Sequence, residues 1–397
     1  MTVLGLRPRI TAHPAVALGS IVIDAFSGGT PSTRQPEYWN GSIPWTTSAQ
    51  LNTDLRLTSS ARSISEAGLR NSSAKMAPAG SVLVGTRVGV GKTAVLELAM
   101  AISQDLTALI LRSEIADAEF VAYALRSASV QQRFESNKRG ATIKGVPRED
   151  LLRLSIPLPP LDEQKRVARI LSTIQLAKDA CIKSLGHAEA LRDAMTSRLF
   201  NSSWPMRPIG SIAKVGNGST PKRDDQRYWR GGVIPWLTSA KIHEGRIEFA
   251  DEFVTDIAIR ECHLPLVPAG NVLIAITGQG KTLGNSALLA IDSCVSQHLA
   301  YIKLTSSDIL PEFLHYYLST RYENLRSVAL GGGSTKGALT CGFLSGYPVP
   351  VPPIEDQQAV VDALDRVDLK ISAERSTERA LEGVFTAALH SLMGSGS

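Results

Sequence analysis

The stretch IPLPPLDEQ at positions 156–164 returns as VPVPPIEDQ at positions 349–357, an offset of 193 residues. In each copy a proline-rich segment, which cannot continue regular structure, runs into acidic residues of the kind that favour a helix start. Because this junction occurs twice, we expect the chain to repeat one order: a globular domain that ends at the prolines, and then a long helix.

Other paired landmarks precede each junction in the same order, at offsets of 189 to 191 residues. They are Thr30-Pro31 with Tyr38-Trp39 against Thr220-Pro221 with Tyr228-Trp229, Ile43-Pro44-Trp45 against Ile234-Pro235-Trp236, Pro78-Ala79-Gly80 against Pro268-Ala269-Gly270, and Gly91-Lys92-Thr93 against Gly280-Lys281-Thr282. A period near 190 residues indicates a domain duplication rather than a solenoid.

Inside each copy the patterns indicate mixed structure. The apolar runs SVLVG (81–85) and NVLIAIT (271–277) predict buried strands, and the spacing of apolar residues over 117–134 and 311–328 predicts a helix in each copy. The fold class is therefore α+β, with α/β-type domains. The predicted parts are a first globular domain at 1–160, a central helix at 161–200, a second globular domain at 201–353, a distal helix at 354–393, and a probable tag remnant, GSGS, at 394–397.

A heptad pattern of mostly apolar residues runs through both predicted helices, with matching positions at an offset of 193. Such a pattern predicts a coiled coil. Four positions of the pattern are charged instead, namely Lys178, Arg192, Glu374 and Glu378. Their opposite signs favour an antiparallel pairing of the two helices, which would relate the two domains by a pseudo-twofold axis and act as a rigid spacer.

Composition excludes several classes of protein. A hydrophobic fraction of 43% with 20% charged residues is typical of a folded protein rather than a disordered one. We find no signal peptide and no apolar run that spans a membrane, and the four cysteines form no CxxC pair, so we expect a cytoplasmic protein with free thiols. No metal-ligand spacing and no catalytic motif is found, so we expect neither a metal site nor catalytic residues.

Two similar domains on a rigid spacer are suited to reading two short DNA sites separated by base pairs that are not contacted. The net charge of only +5 is weak evidence by itself. Polar and basic loops between the matched landmarks are the candidate DNA contacts, and an ordinary exposed loop is the alternative for each. The candidates are Thr30, Ser32, Arg34, Gln35, Arg87, Lys92, Lys138, Arg139 and Lys144 in the first copy, and Thr220, Lys222, Arg223, Arg227, Lys281 and Lys336 in the second.

Two features near these loops have other interpretations. The Gly-Lys-Thr triplets suggest a phosphate-binding P-loop, but the first glycine of that motif is replaced by Thr86 in one copy and Ala275 in the other, which argues against a P-loop ATPase. The matched aromatic residues are interpreted as core and loop anchors rather than as platforms for stacked bases. These residues are Tyr38, Trp39, Trp45, Tyr228, Trp229 and Trp236.

The landmarks together closely resemble the specificity (S) subunits of type I restriction–modification systems, the HsdS family. The run PLPPLDEQKRVARIL (157–171) is especially characteristic. The resemblance implies two target recognition domains, and two helices that act as a spacer and dock two methyltransferase (M) subunits, which restriction (R) subunits then join. It also implies that this chain is not an enzyme and that S-adenosylmethionine, ATP and Mg²⁺ are bound by the partner subunits.

The surface that docks partners is predicted on helix faces outside the heptad pattern, with Gln164, Arg166, Arg169 and Gln357 as candidates. Two alternatives to a restriction–modification specificity subunit remain open besides the ATPase. One is a coiled-coil scaffold without a DNA function. The other keeps DNA recognition but places the chain in a modification-only or other phage-defence methyltransferase system.

Overall fold

The computed structural model describes residues 13–51, 54–139, 145–200, 203–278, 281–331 and 338–393. Its contacts divide the chain into two compact units, which we describe one at a time. Unit 1 combines Met1–Ser184 with Glu374–Ser397, and unit 2 is Leu185–Ala373. Each unit therefore contains one globular domain and part of both long helices.

A five-stranded sheet forms the centre of each unit, with the same strand order in both. In unit 1 the neighbours are Val22–Ser27, Leu106–Leu111, Val82–Gly85, Thr93–Leu96 and Arg56–Leu57. In unit 2 they are Ala213–Asn217, Leu299–Leu304, Asn271–Ala275, Ser286–Leu289 and Arg246–Ile247. The two strands that the sequence predicted are the central ones, and every residue in them is buried, as an uninterrupted apolar run requires.

Two smaller sheets complete each unit. The four-stranded sheet has the order Arg62–Ile64, Trp39–Thr46, Met100–Ile102 and Lys75–Ala77 in unit 1, and Glu252–Val254, Ile234–Leu237, Ser293–Val295 and Leu266–Val267 in unit 2. A two-stranded ladder pairs Ala15–Ala17 with Ser155–Pro157, and Met206–Pro208 with Pro348–Pro350. Each ladder brings the start of the domain beside its proline-rich exit, from which the long helix begins.

Each helix predicted inside the globular copies is two helices in the structure. Ala118–Arg126 is followed by Ala128–Ser136, and Pro311–Thr320 by Tyr322–Gly331. The first prediction is wrong because Ser127 adopts an extended backbone, with φ −63° and ψ 148°, and its hydroxyl donates to the carbonyl of Ala124. The remaining short helices, including 3₁₀ turns, are Leu18–Ile21, Pro36–Tyr38, Ser48–Gln50, Glu66–Arg70 and Arg148–Arg153 in unit 1, and Ile209–Ser211, Gln226–Tyr228, Ser239–Glu244, Asp256–Glu261 and Cys341–Gly346 in unit 2.

Two long helices follow the proline exits. The proximal helix is Leu161–Leu199, with 39 residues, and the distal helix is Ile354–Met393, with 40 residues. At 1.5 Å per residue each is about 60 Å long. Among the described residues, no helix is long and apolar enough to cross a membrane.

Within unit 1 the two long helices run antiparallel, as predicted. Lys178 forms an ion pair with Glu382, whereas Ser184, further along the proximal helix, donates to Glu374, which lies earlier on the distal helix. The pairing of the charged heptad residues differs in detail from the simplest expectation. Lys178 pairs with Glu382 and, in unit 2, Arg192 pairs with Asp368. Neither acid is itself a heptad position: each is the next residue along the distal helix, so its carboxylate lies at the edge of the contact between the two helices rather than in the apolar seam.

Candidate nucleic-acid interface

The first candidate loop, 28–38 in unit 1, is held by matched features that unit 2 repeats at 218–228. The indole Nε1 of Trp39 donates to the carbonyl of Ser32 at 3.1 Å, and that of Trp229 donates to the carbonyl of Lys222 at 2.9 Å. Each of these rings meets a second tryptophan edge-on, with centroids 5.2 Å apart, in the pairs Trp39–Trp45 and Trp229–Trp236. The interpretation of these tryptophans as anchors is confirmed.

A glycine opens each of these loops because the backbone there lies against a neighbouring strand. A Cβ on Gly28 would lie 1.8 Å from the carbonyl oxygen of Ile102, and a Cβ on Gly218 would lie 1.6 Å from that of Val295. No side chain fits at such distances. The two loops therefore leave the sheet at the same place in both units, although their exposed side chains differ.

The second candidate loop in unit 1 is a tight turn between strands Val82–Gly85 and Thr93–Leu96. Gly85 N donates to the Lys92 carbonyl at 2.8 Å, and Gly91 N donates back to the Gly85 carbonyl at 3.0 Å. Gln131 fixes the turn from outside by donating to the Gly91 carbonyl. The Gly-Lys-Thr triplet thus leads into a strand, whereas a P-loop leads into a helix, so the geometry gives the ATPase alternative no support.

The matching of Gly91-Lys92-Thr93 with Gly280-Lys281-Thr282 as equivalent positions is wrong. Thr93 pairs with Val84 in the sheet, and the residue in that place in unit 2 is Ser286, which pairs with Ile274. Thr282 instead precedes the strand, with its hydroxyl 3.0 Å from Nε2 of His243. Three extra residues lengthen the loop in unit 2, since the offset rises from 190 at Val272 to 193 at Ser286.

A turn at 103–105 ties the candidate loops of unit 1 together. The side chain of Asp105 accepts hydrogen bonds from Ser103, from the Ser48 hydroxyl and from the Ser48 backbone N–H at 2.9 Å. Its backbone carbonyl accepts from Thr86 N at 2.9 Å and from Arg87 N at 3.4 Å. Three segments consequently lie together at one edge of unit 1: the first candidate loop, the turn at 86–92 and the segment at 103–105.

The third candidate loop joins the same edge. Val146 N donates to the Thr86 carbonyl at 2.8 Å, and Arg139 and Gly145 exchange both backbone hydrogen bonds. In unit 2, Leu339 N donates to the Ile276 carbonyl at 2.8 Å in the same manner. Lys144 and Lys336, predicted in these loops, lie outside the described residues.

The basic candidates divide by whether their charge is already neutralised. Lys138 pairs with Glu135, Arg139 with Asp150, Arg223 with Glu252, and Arg227 with Asp225 and Glu261. The hydrogen bond from Arg227 holds the pKa of Asp225 below its usual range. In the part of the chain that the structure describes, no carboxylate pairs with a further set of exposed residues, which are Arg34, Arg87, Lys92, Lys222 and Lys281. Among the basic candidates, these five therefore keep a charge that is available to an anion.

The uncharged candidates are also at the surface. Thr30, Ser32 and Gln35 are exposed, and Thr220 is partly exposed. Thr30 does not stand alone, because its hydroxyl donates to Oε1 of Gln104 at 2.5 Å. That contact points to a residue the sequence argument missed.

Gln104 belongs to SQDL (103–106), and unit 2 contains SQHL (296–299) in the equivalent turn. The serines and leucines of both copies are buried, whereas Gln104 and Gln297 are exposed. The repeated four-residue motif at an offset of 193 is the signal that could have found them. It is short and lies between the longer landmarks, so it is easily passed over.

Two of the predicted docking residues are internal supports instead. Gln164 is fully buried: its Oε1 accepts from Asp117 N, and its Nε2 donates to the carbonyls of Ile115 and Pro159. Gln357 is equally buried and makes the corresponding bonds to Leu310, Asp308 and Pro352. Neither side chain can reach a partner, so this prediction is corrected. Arg166, next to Glu163, and Arg169 are exposed.

Comparison with known proteins agrees with this duplicated architecture. A family model described as the type I restriction modification DNA specificity domain matches twice, at residues 16–184 and 201–382. The chain belongs to this family. Within the described residues we find no cluster of three or more His, Cys, Asp or Glu side chains that could hold a metal ion.

Curated relatives include two specificity subunits of type I restriction enzymes from Methanocaldococcus jannaschii. The MjaX subunit is 26% identical over 284 residues, which cover 66% of this chain and 64% of that protein, and the MjaIX subunit is 22% identical over 73% of this chain and 71% of that protein. The match thus spans slightly less than two thirds of the MjaX subunit. A crystal structure of a type I S subunit from M. genitalium matches with a TM-score of 0.67 at 18% identity, covering 99% of both chains, which shows the shared fold.

Proposed function

We propose that this chain is the DNA-recognition subunit of a type I restriction–modification complex, and that each unit reads one half of a bipartite double-stranded DNA target. One observation carries the proposal beyond the family: the same group of loops is built twice. Each copy has a glycine-opened, tryptophan-anchored loop beside a turn that contains an exposed lysine.

The exposed side chains on this shared frame differ between the units. Loop 28–38 presents Ser32, Arg34 and Gln35, whereas loop 218–228 presents Lys222 and Arg223. Phosphate contacts position a protein on a duplex and base contacts specify the sequence. Different side chains at equivalent positions therefore support two different half-sites, that is, an asymmetric target.

The partners of the chain follow from the family in the same way. We expect two methyltransferase subunits and, in a complete system, restriction subunits to assemble with this chain, and we expect S-adenosylmethionine, ATP and Mg²⁺ to be bound by them. This chain then contributes recognition and no catalysis of its own. With Gln164 and Gln357 removed from the candidate docking surface, Arg166 and Arg169 remain as its candidates.

Sequencing of methylated bases in the host genome tests the proposal. We expect a bipartite methylated motif that disappears when the gene is deleted and returns on complementation. Exchanging residues 1–155 for the corresponding segment of a relative is expected to change one half of the motif and leave the other half intact. A methylome unaffected by the deletion contradicts the proposal, and a change in both halves contradicts the assignment of one half to each unit.

A further inference from the structure

The exposed amides of Gln104 and Gln297 occupy equivalent places at the candidate interface. Each lies in the turn that joins a strand of the four-stranded sheet to a strand of the five-stranded sheet: Met100–Ile102 to Leu106–Leu111 in unit 1, and Ser293–Val295 to Leu299–Leu304 in unit 2. The preceding serines, Ser103 and Ser296, are each only 1% exposed, and the leucines two positions after the glutamines are buried, whereas Asp105 is partly exposed and His298 is exposed. Packing therefore accounts for the repeated serine and leucine of this motif, but not for the identical exposed glutamine between them.

Backbone hydrogen bonds place each glutamine between the first and the second candidate loop of its unit. In unit 1, Gly29 N donates to the Ile102 carbonyl, and the carbonyl of Asp105 accepts from Thr86 and Arg87. In unit 2, Ser219 N donates to the Val295 carbonyl, and the carbonyl of His298 accepts from Ile276 N at 3.0 Å. A duplex that contacts the loops on both sides of the turn is brought within reach of the amide.

The residue that follows each glutamine differs, and so does the hydrogen bonding around it. Asp105 is held by Ser48 and Ser103, whereas its counterpart His298 contacts the Thr277 hydroxyl through Nδ1 at 2.6 Å. The hydroxyl of Ser296 is consequently buried with no partner among the described residues. The glutamine is thus the same in both units although its surroundings are not.

We propose that Gln104 and Gln297 are equivalent contacts to the phosphate backbone of DNA, one in each unit, which fix the register of that unit on the duplex. The inference rests on the proposed function. Residues that read two different half-sites should differ between the units, whereas residues that hold the backbone, which is the same everywhere, can be identical. A glutamine amide donates two N–H bonds and carries no charge.

The amide groups are available for this contact. Oε1 of Gln104 accepts a hydrogen bond from the Thr30 hydroxyl. Nε2 of the same amide has no acceptor among the described residues. Gln297 makes no side-chain hydrogen bond with any described residue. This difference is useful, because a purely structural role in holding the Thr30 loop could apply to Gln104 and not to Gln297.

Binding of the full chain to duplexes that carry its methylated motif, measured at several salt concentrations, tests the inference. Gln104→Ala and Gln297→Ala are each expected to raise Kd about tenfold, as the loss of a hydrogen bond to a charged group predicts. The increase should be the same on matched and unmatched duplexes, and the slope of log K against log salt should not change, since a neutral side chain releases no counterion. Gln104→Glu and Gln297→Glu should lower the affinity for DNA further. Gln358→Ala, which replaces an exposed glutamine on the distal helix, should leave the affinity unchanged.

Several results would overturn the inference while leaving the proposed function intact. A motif that becomes degenerate at one base in Gln104→Ala would show a base contact, loss in Gln104→Ala alone would show a structural role, and no loss in either variant would show no contact. If the wild-type chain binds no DNA, with or without its methyltransferase partner, the proposed function fails and the inference fails with it.

Discussion

Unit 1 and unit 2 hold the start of a long helix in the same way but pack their matching tyrosines, Tyr123 and Tyr316, by different chemistry. The Tyr316 hydroxyl, which has one proton to donate, lies 2.5 Å from a carboxylate oxygen of Asp365 and 3.0 Å from one of Asp368 on the distal helix, and Asp368 in turn pairs with Arg192 on the proximal helix. The Tyr123 hydroxyl is buried with no partner among the described residues, and its ring packs against Phe385, with centroids 6.2 Å apart.

In a duplicated protein, some contacts are the same in both copies and others differ between them. The buried glutamines Gln164 and Gln357 each satisfy three backbone groups at the same junction, so replacement by another residue leaves several buried groups without partners. The tyrosines fill similar space in either a polar or an apolar setting. The junction is thereby constrained in both copies, whereas the helix-facing surfaces have room to diverge.

The largest expected effect comes from the shared junction. Gln164→Ala should destabilise unit 1 and Gln357→Ala should destabilise unit 2, each by about 3 kcal/mol or more, because buried backbone groups lose their partners. Hydrogen–deuterium exchange followed by mass spectrometry assigns the loss to one unit. The control, Gln358→Ala, removes an exposed neighbour whose amide donates to Asp362, and it should change stability by less than about 0.5 kcal/mol. Clearly unequal losses in the two units would break the equivalence of the junctions.

The second effect concerns the pH dependence of folding stability, which we expect to differ between the two units. Burial lowers the pKa of His315 to about 4, from an ordinary value near 6.5, and the charge of Arg192 adds to this. Above pH 6.5 the histidine is neutral in both the folded and the unfolded state. As pH falls from 6.5 towards 4 the unfolded state takes up the proton first, so unit 2 should lose about 2 to 3 kcal/mol of stability across that range.

Unit 1 has no histidine at the corresponding position, where Ala122 stands. Local exchange rates measured at pH 7 and pH 4.5 should therefore show acid destabilisation from this source in unit 2 alone. His315→Asn, which keeps a polar side chain without the titration, should reduce the pH dependence. An unchanged pH profile in that variant would remove His315 from the explanation.

The sequence correctly predicts the elements that recur in both copies at a nearly constant offset. It is less successful for loops in which the offset between the copies changes. The proline exits, the long antiparallel helices and the central strands come from long or strongly patterned segments. The Gly-Lys-Thr triplet is short, and three inserted residues in unit 2 shift it out of register with the strand that follows. A matched triplet within a variable loop therefore does not establish equivalent positions.

Contacts that the sequence pattern does not show explain the remaining misses. Gln164 looks like a surface residue because it is polar and lies outside the heptad pattern, but its neighbours leave unpaired backbone groups that only an internal amide satisfies. Ser127 interrupts the helix predicted at 117–134 through its own hydroxyl, a local competition that apolar spacing does not reveal. Among the basic candidates, the carboxylates that neutralise four of them come from other elements as well as from nearby residues, as with Glu252 and Arg223.

A third, smaller effect tests the tyrosines directly. Tyr316→Phe removes the one O–H that Asp365 and Asp368 share, and it should destabilise unit 2 by about 1 to 2 kcal/mol, because part of this network is solvent-exposed and screened. Tyr123→Phe removes a buried hydroxyl without a partner and should leave the stability of unit 1 unchanged or slightly raised. Thermal unfolding of the full chain compares the two. A comparable loss in Tyr123→Phe would mean that its hydroxyl is satisfied, and that the units are more alike than their side-chain contacts indicate.

The smallest effect on stability, but a direct one on DNA binding, distinguishes paired from unpaired basic residues within each unit. Lys92→Ala and Lys222→Ala should leave folding within about 0.5 kcal/mol of the wild type, yet each should lower the slope of log K against log salt by about 1. Lys138→Ala and Arg227→Ala should change the slope less, since the carboxylates of Glu135, Asp225 and Glu261 already offset those charges. Equal slopes for the paired and unpaired variants would mean that the ion pairs open on binding, and that neutralisation in the free protein does not identify the contacts.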